Sequence, residues 1–265
     1  MATPGKIKPG LVSVSFRKLN PPQLVQLCKK ASLRGIEWGG DLHVPHGDFE
    51  MARRVGELTR DSGLEVAAYG SYYRVGSSER DGLAFEKVLE TAIHLQAPLI
   101  RVWAGVKASA DADEAYVNWV IEESQRIAAL AQQAGVKVAY EYHADTLTDS
   151  LLSTVTLNEQ ARHPNLFFLW QPANGKAVAY NLQTLNTVLP RLQNVHVFHW
   201  WPDASVRHPL TTGEKDWQEY FKVLHNDDAE RYALLEFVKG DEPEQLLQDA
   251  ATLHRLLFVA QSGNG

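Results

Sequence analysis

Short apolar runs punctuate the chain, and each is followed by a stretch in which apolar residues return every three or four positions. The runs are LVSVSF (11–16), GIEWGG (35–40), LEVAAYG (64–70), LIRVWAG (99–105), VKVAYEY (136–142), LFFLWQ (166–171), NVHVFHW (194–200) and ALLEF (233–237). Runs of this length, rich in β-branched and aromatic residues, read as strands, and the longer periodic stretches read as helices. The helical stretches carry their own start and stop signals. Asn20-Pro21 opens the first and Gly35 follows it; Asp48 opens the second and Gly63 closes it. Side-chain oxygens of Asn and Asp accept from the free N–H groups of a first turn, and glycine is favoured just past a last turn. The fourth helix is expected over about 112–133, ending before Gly135. The last is expected over about 243–260, with Leu246, Leu247, Ala250, Leu253, Leu256 and Leu257 as its apolar stripe.

Eight strands alternating with eight helices predict the α/β class and a single parallel (β/α)8 TIM barrel. The competing doubly wound sheet would carry a glycine-rich turn after its first strand, whereas the turn here is SFRKLNPP. No low-complexity or Pro/Gly/Ser-rich linker interrupts the 265 residues, so one domain over 1–265 is expected, with 1–10 and 261–265 loose.

Composition narrows the function classes. A net charge of −6 is unsuited to a nucleic-acid backbone. No run of 18 apolar residues is present, and the N-terminal segment has no apolar stretch of signal-peptide length, so neither a membrane span nor a leader is expected. The single cysteine, Cys28, excludes an internal disulfide and a cysteine-based zinc site, fits a reducing, cytoplasmic setting, and reads as a small buried hydrophobe in a helix.

In a barrel, chemistry is placed at the C-terminal ends of the strands. The last four strands end in Glu141 and His143, Gln171, His196 and His199, and Glu236. Glu141 and His143 share parity and can both face the barrel mouth, whereas His196 and His199 differ in parity and cannot both face inward from a regular strand. A carboxylate inside an apolar run is costly unless it is paired with a cation. Each glutamate therefore either meets an Arg or Lys, or joins the others in holding a divalent ion such as Mn²⁺, Mg²⁺, Co²⁺ or Zn²⁺.

These segments resemble the xylose isomerase-like barrel superfamily of sugar isomerases and epimerases, which also contains endonuclease IV-type repair enzymes. The resemblance covers about 11–257. It rests on Glu141-Tyr142-His143 with Leu147-Thr148, on Arg191-Leu192-Gln193-Asn194-Val195-His196-Val197-Phe198-His199, on the segment from Pro209 to Asp216-Trp217, and on Glu236. It implies metal ligation by Glu141, Gln171, His196 and Glu236. At strand six the family's Asp-x-x-His is Gln171-Pro172-Ala173-Asn174, which removes a negative charge from the site; the Asp that ends the strand-seven motif is His199.

The first half of the barrel adds Trp38, His43 and His46 after strand two, with Glu37 as a weaker candidate, and Arg101 and Trp103 on one face of strand four. With His143, His199, Trp200 and Arg207 these form the expected substrate-binding set, aromatic walls suiting sugar faces and polar groups suiting hydroxyls. The resemblance implies a metal-dependent isomerase or epimerase of a small sugar or keto-sugar. Glu141 and Glu236 would be its catalytic pair, moving a proton beside a carbonyl through an enediolate. A keto-sugar dehydratase or lyase on the same site, and an inactive sugar-binding barrel, are the alternatives. The endonuclease branch is disfavoured, because the ends of strands three and four offer Tyr69-Gly70 and Trp103-Ala104 rather than metal ligands. A homo-oligomer is compatible with the family.

Overall fold

The first helix shows how local chemistry sets the elements. Asn20 accepts from the Gln23 backbone N–H while the Gln23 side chain accepts from the Asn20 N–H, a reciprocal cap that starts α1 (Pro21–Lys30). Asp48 accepts from the Met51 N–H at the start of α2 (Phe49–Asp61), and Asp113 does the same for Tyr116 in α4 (Glu114–Gln133). The remaining helices are α3 (Phe85–Leu95), α5 (Leu151–Gln160), α6 (Val178–Val188), α7 (Glu214–Leu224) and α8 (Pro243–Ser262). The computed structural model describes residues 6–226 and 229–262.

The strands are β1 (Ile7–Val12), β2 (Gly35–Gly39), β3 (Glu65–Arg74), β4 (Leu99–Trp103), β5 (Lys137–Glu141), β6 (Leu166–Trp170), β7 (Leu192–Val197) and β8 (Arg231–Leu235). All neighbours pair in parallel, and β1 pairs with β8 from Ile7↔Arg231 to Leu11↔Leu235, closing the barrel in sequence order. The expected (β/α)8 barrel is therefore the fold.

Three strands sit earlier than their apolar runs. β1 starts at Ile7, inside the segment expected to be loose, and Ser13–Phe16 form a buried 3₁₀ turn instead of continuing it. Lys8, Pro9 and Gly10 hide this strand from an apolar pattern. Gly10 is required by close approach, since a Cβ there would lie 2.6 Å from the Gly35 carbonyl oxygen. β7 ends at Val197 and β8 at Leu235, so His199, Trp200 and Glu236 lie on the connections beyond them. Residues 1–5 and 263–265, within the two segments expected to be loose, lie outside the described residues.

Strand alternation divides the core. Ile36, Trp38, Ile100, Val102, Tyr140, Phe168, Trp170 and Val195 face outward into one cluster with the helices. Two small clusters fill the barrel: Val12, Val14, Ala67 and Leu234, and Ala68, Leu99, Ala139 and Leu169. Above them, towards the C-terminal ends, the inward layer turns ionic. Among the described residues no helix is long and apolar enough to cross a membrane.

Candidate active site

The ionic layer is built from buried charges whose strands run in apolar surroundings. Arg101, inward on β4, lies between two glutamates: its Nε donates to Glu37 Oε1 at 2.7 Å, and its Nη1 donates to Glu141 Oε2. All three side chains are buried. Burial alone would push the Glu141 carboxyl up, but the Arg101 guanidinium and His196 override it and hold it well below the usual carboxylate range. Glu37 moves in the same direction for the same reasons. Gly70 on β3 makes room for this pair, because a Cβ there would fall 2.7 Å from Glu37 Oε1 and 2.8 Å from Arg101 Nη2.

His196 reaches the layer from β7 and is fully buried. Its Nε2 lies 3.2 Å from Glu37 Oε2. Its Nδ1 lies 3.1 Å from Gln171 Oε1, 3.4 Å from Glu141 Oε1 and 3.4 Å from Glu236 Oε2. With its proton on Nε2, His196 donates a hydrogen bond to the Glu37 carboxylate, and this tautomer turns the Nδ1 lone pair towards three oxygens. With that tautomer Nδ1 and three oxygens converge as acceptors, and a cation, either a metal ion or the His196 proton, holds them together. Three glutamates, Arg101 and a neutral imidazole carry a net charge of −2, which a divalent ion balances. Ligand atoms of Glu141, His196 and Glu236 all lie within 4.8 Å of one another, so the set fits a metal ion. Burial lowers the His196 proton affinity, but Glu236 and Glu37 outweigh it and raise the imidazole well above its ordinary value, the same demand for a cation in another form.

The two expected catalytic glutamates are held differently. Glu141 Oε2 is gripped by Arg101 and also accepts from Trp103 Nε1 at 2.5 Å. The Glu236 carboxylate meets His196 Nδ1 at 3.4 Å. His143, just past β5, stacks on Trp103 with ring centres 4.6 Å apart, and its Nδ1 lies 2.7 Å from the Ala144 carbonyl oxygen. Tyr72 has a positive φ of 55° where the β3–β4 register shifts, and its ring lies 4.7 Å from the Arg101 guanidinium and edge-on to Trp103.

Other candidates are placed elsewhere. Trp38 is not at the mouth: Glu37 faces inward, so alternation turns Trp38 outward, where its Nε1 donates to Thr59 Oγ1 at 3.1 Å. His43 is not free to meet a substrate, since Ser13 Oγ and the Leu19 carbonyl lie 3.0 and 3.1 Å from its two ring nitrogens. His46 is half-buried and bonds Tyr69 at 2.7 Å. Arg207 donates to Asp241 at 2.6 Å and covers Phe237. Trp200 stacks on Phe198, and His199 lies against Gly213 near His208. Glu37, ranked weaker from the sequence, is central. Its signal was present: a glutamate between Ile36 and Trp38 is a buried carboxylate by the argument applied to Glu141.

A closed (β/α)8 barrel with a buried Glu/His/Glu set at its C-terminal mouth that fits a divalent ion defines the class of protein. The chain belongs to the xylose isomerase-like TIM barrel family, whose model matches residues 25–256. It is 29% identical over 167 residues to a 3-dehydroshikimate dehydratase from Bacillus anthracis, a match spanning 60% of this chain and 60% of that protein. In fold it is similar to the crystal structure of the probable 3-DHS dehydratase AsbF of the same organism, with a TM-score of 0.80, 22% identity, and coverage of 94% of this chain and 99% of that one. It is also similar to an L-ribulose 3-epimerase, with a TM-score of 0.74, 14% identity and 97% of each chain covered.

Proposed function

We propose that this barrel is a divalent-metal-dependent dehydratase that removes a proton beside a carbonyl of a small polyhydroxylated keto compound and expels a β-hydroxyl as water. The observation that carries this reading is the unequal treatment of the two glutamates. Epimerisation with two bases needs both carboxylates to hold a proton in turn. Arg101 and Trp103 hold Glu141 ionised, so it is a poor proton carrier, whereas Glu236 is met by His196 and has no arginine or indole bound to it. One base suffices for elimination. The similarity to a 3-dehydroshikimate dehydratase supports the same choice.

Glu141, Gln171, His196 and Glu236 would hold a divalent ion, which when bound would supply a Lewis acid for the substrate's carbonyl oxygen. Glu236 takes the α-proton; the C–H electrons form the new C=C bond, and the β C–O bond breaks. His143, at the mouth and held through Nδ1, gives the departing hydroxyl its proton. Trp103 and Tyr72 form an aromatic wall that limits water at the reacting carbon.

The test uses 3-dehydroshikimate and D-fructose with Mg²⁺ or Mn²⁺. Loss of water from the first leaves an aromatic ring, read by ultraviolet absorbance; epimerisation of the second is read by deuterium incorporation and inversion at C3. The expected outcome is dehydration, with Glu236→Gln lowering kcat by roughly a hundredfold or more. Near-full activity of that variant, or inversion of fructose without any dehydration, overturns the reading.

A further inference from the structure

Phe237 directly follows the proposed base Glu236, and its backbone is left-handed, with φ at 42°. That region is costly for any residue with a Cβ, and a bulky aromatic there is a true outlier. Such a conformation persists only where surrounding contacts outweigh its cost, and it gathers at active sites. Here each part of the residue is held from a different element. Its N–H donates to Ser15 Oγ at 2.9 Å, in the buried 3₁₀ turn after β1. Its carbonyl oxygen accepts from Trp200 Nε1 at 3.3 Å, on the connection after β7. Its ring packs against the barrel cluster of Val12, Val14, Ala67 and Leu234. The Arg207 guanidinium, tied to Asp241, covers that ring at 4.7 Å. One residue back, the Glu236 N–H donates to the Val197 carbonyl oxygen at 3.1 Å, next to His196 on β7. The main chain is thereby held on both sides of Glu236, whose carboxylate meets His196 Nδ1.

Resting on the reading of Glu236 as base and metal ligand, we propose that Phe237 is a positioning residue: its left-handed backbone, clamped by Ser15 and Trp200, aims the Glu236 carboxylate at the metal-ligand set. Rotation of φ to a negative value turns the peptide between Glu236 and Phe237, moves its N–H off Ser15 and carries Glu236 with it. Trp200 and Arg207, expected from the sequence to meet substrate, serve this clamp.

The experiment compares Phe237→Ala with Phe237→Gly, by calorimetric titration of the full chain with Mn²⁺ and by turnover of 3-dehydroshikimate at saturating Mn²⁺. Both variants lose the ring, but only glycine takes a positive φ without steric cost. Alanine lacks the packing that outweighed the strain, so its backbone is expected to relax. Phe237→Ala is therefore expected to weaken Mn²⁺ binding and to lower kcat, each by roughly tenfold, with KM little changed, whereas Phe237→Gly retains more of both. A residue that only fills space gives the opposite order, because glycine is smaller and more flexible. Ser15→Ala keeps the ring and removes the acceptor for the Phe237 N–H. It is expected to weaken Mn²⁺ binding in the same direction, with an unchanged far-ultraviolet circular dichroism spectrum. Equal losses in the two Phe237 variants, a greater loss in Phe237→Gly, or wild-type Mn²⁺ affinity in Phe237→Ala overturns the proposal. Should the Phe237 variants fail to fold, Ser15→Ala decides, and wild-type Mn²⁺ affinity there overturns it. So does a wild-type protein that takes no Mn²⁺. The dehydratase reading fails separately, on turnover: Mn²⁺ affinities in the expected order without any release of water keep the positioning role and lose the reaction.

Discussion

Glu37 does two jobs with two oxygens. One holds Arg101, and the other anchors His196 so that Nδ1 faces Gln171, Glu141 and Glu236. Hydrogen-bond partners behind a metal-ligating histidine typically change metal affinity by about 10–100-fold when removed. Glu37→Gln retains an acceptor but loses the charge. It is expected to weaken Mn²⁺ binding by roughly tenfold or more in calorimetry, with an unchanged far-ultraviolet circular dichroism spectrum. Wild-type affinity in the variant would show that His196 is oriented without Glu37. At this scale the sequence was informative where alternation could be applied. Glu141, His196 and Glu236 were found as polar residues at strand ends. Trp38 was misplaced because the same alternation, applied to Glu37, would have sent it outward. His43 could not be placed, because its partners Ser13 and Leu19 belong to a 3₁₀ turn and a connection with no periodicity to read.

The helices were legible because their signals are local. The Asn20 cap, the Asp48 cap and the stripe of α8 each involve residues within a turn or two, and the structure places elements where those residues indicated. The strand ends were less so, because β1 carries Lys8, Pro9 and Gly10 and because the apolar runs of β7 and β8 continue past the last hydrogen-bonded pair. Helix α1 allows a pH test of how tightly an element is packed. Cys28 is fully buried on its inner face, and burial pushes the thiol from 9.0 up to about 12. The folded state therefore keeps a proton that the unfolded chain releases. This contribution to stability is intact below pH 9 and is lost as pH rises from 9 to about 12. Within that window the wild type should lose stability relative to Cys28→Ala at roughly 1.4 kcal/mol per pH unit. Urea unfolding at several alkaline pH values measures it; parallel stability profiles would mean that the thiol ionises freely in the folded protein.

At the scale of the whole molecule, closure makes every element depend on the last. Helix α8 covers strands at the β8–β1 seam with Leu246, Ala250, Leu253, Leu256 and Leu257, all buried. Four buried leucines at about 2 kcal/mol each approach the ~5–15 kcal/mol total stability of a domain. A chain ending at Glu242 is expected not to fold, giving a broad, aggregated profile in size-exclusion chromatography and no cooperative thermal transition. A monodisperse, cooperatively melting product would place the stability elsewhere. The pattern of apolar runs and helical stripes, together with the helix caps and the strand-end carboxylates, determined the barrel and the metal-ligand candidates, because period and capping are properties of neighbouring residues. Only the tertiary structure decided that Glu37 stands behind His196, 159 residues away, and that Arg101 bonds Glu37 and Glu141 while Glu236 faces His196. Those relations arise when strands distant in sequence converge inside a closed barrel, where the cost of burying charge forces each group to find its partner across the interior.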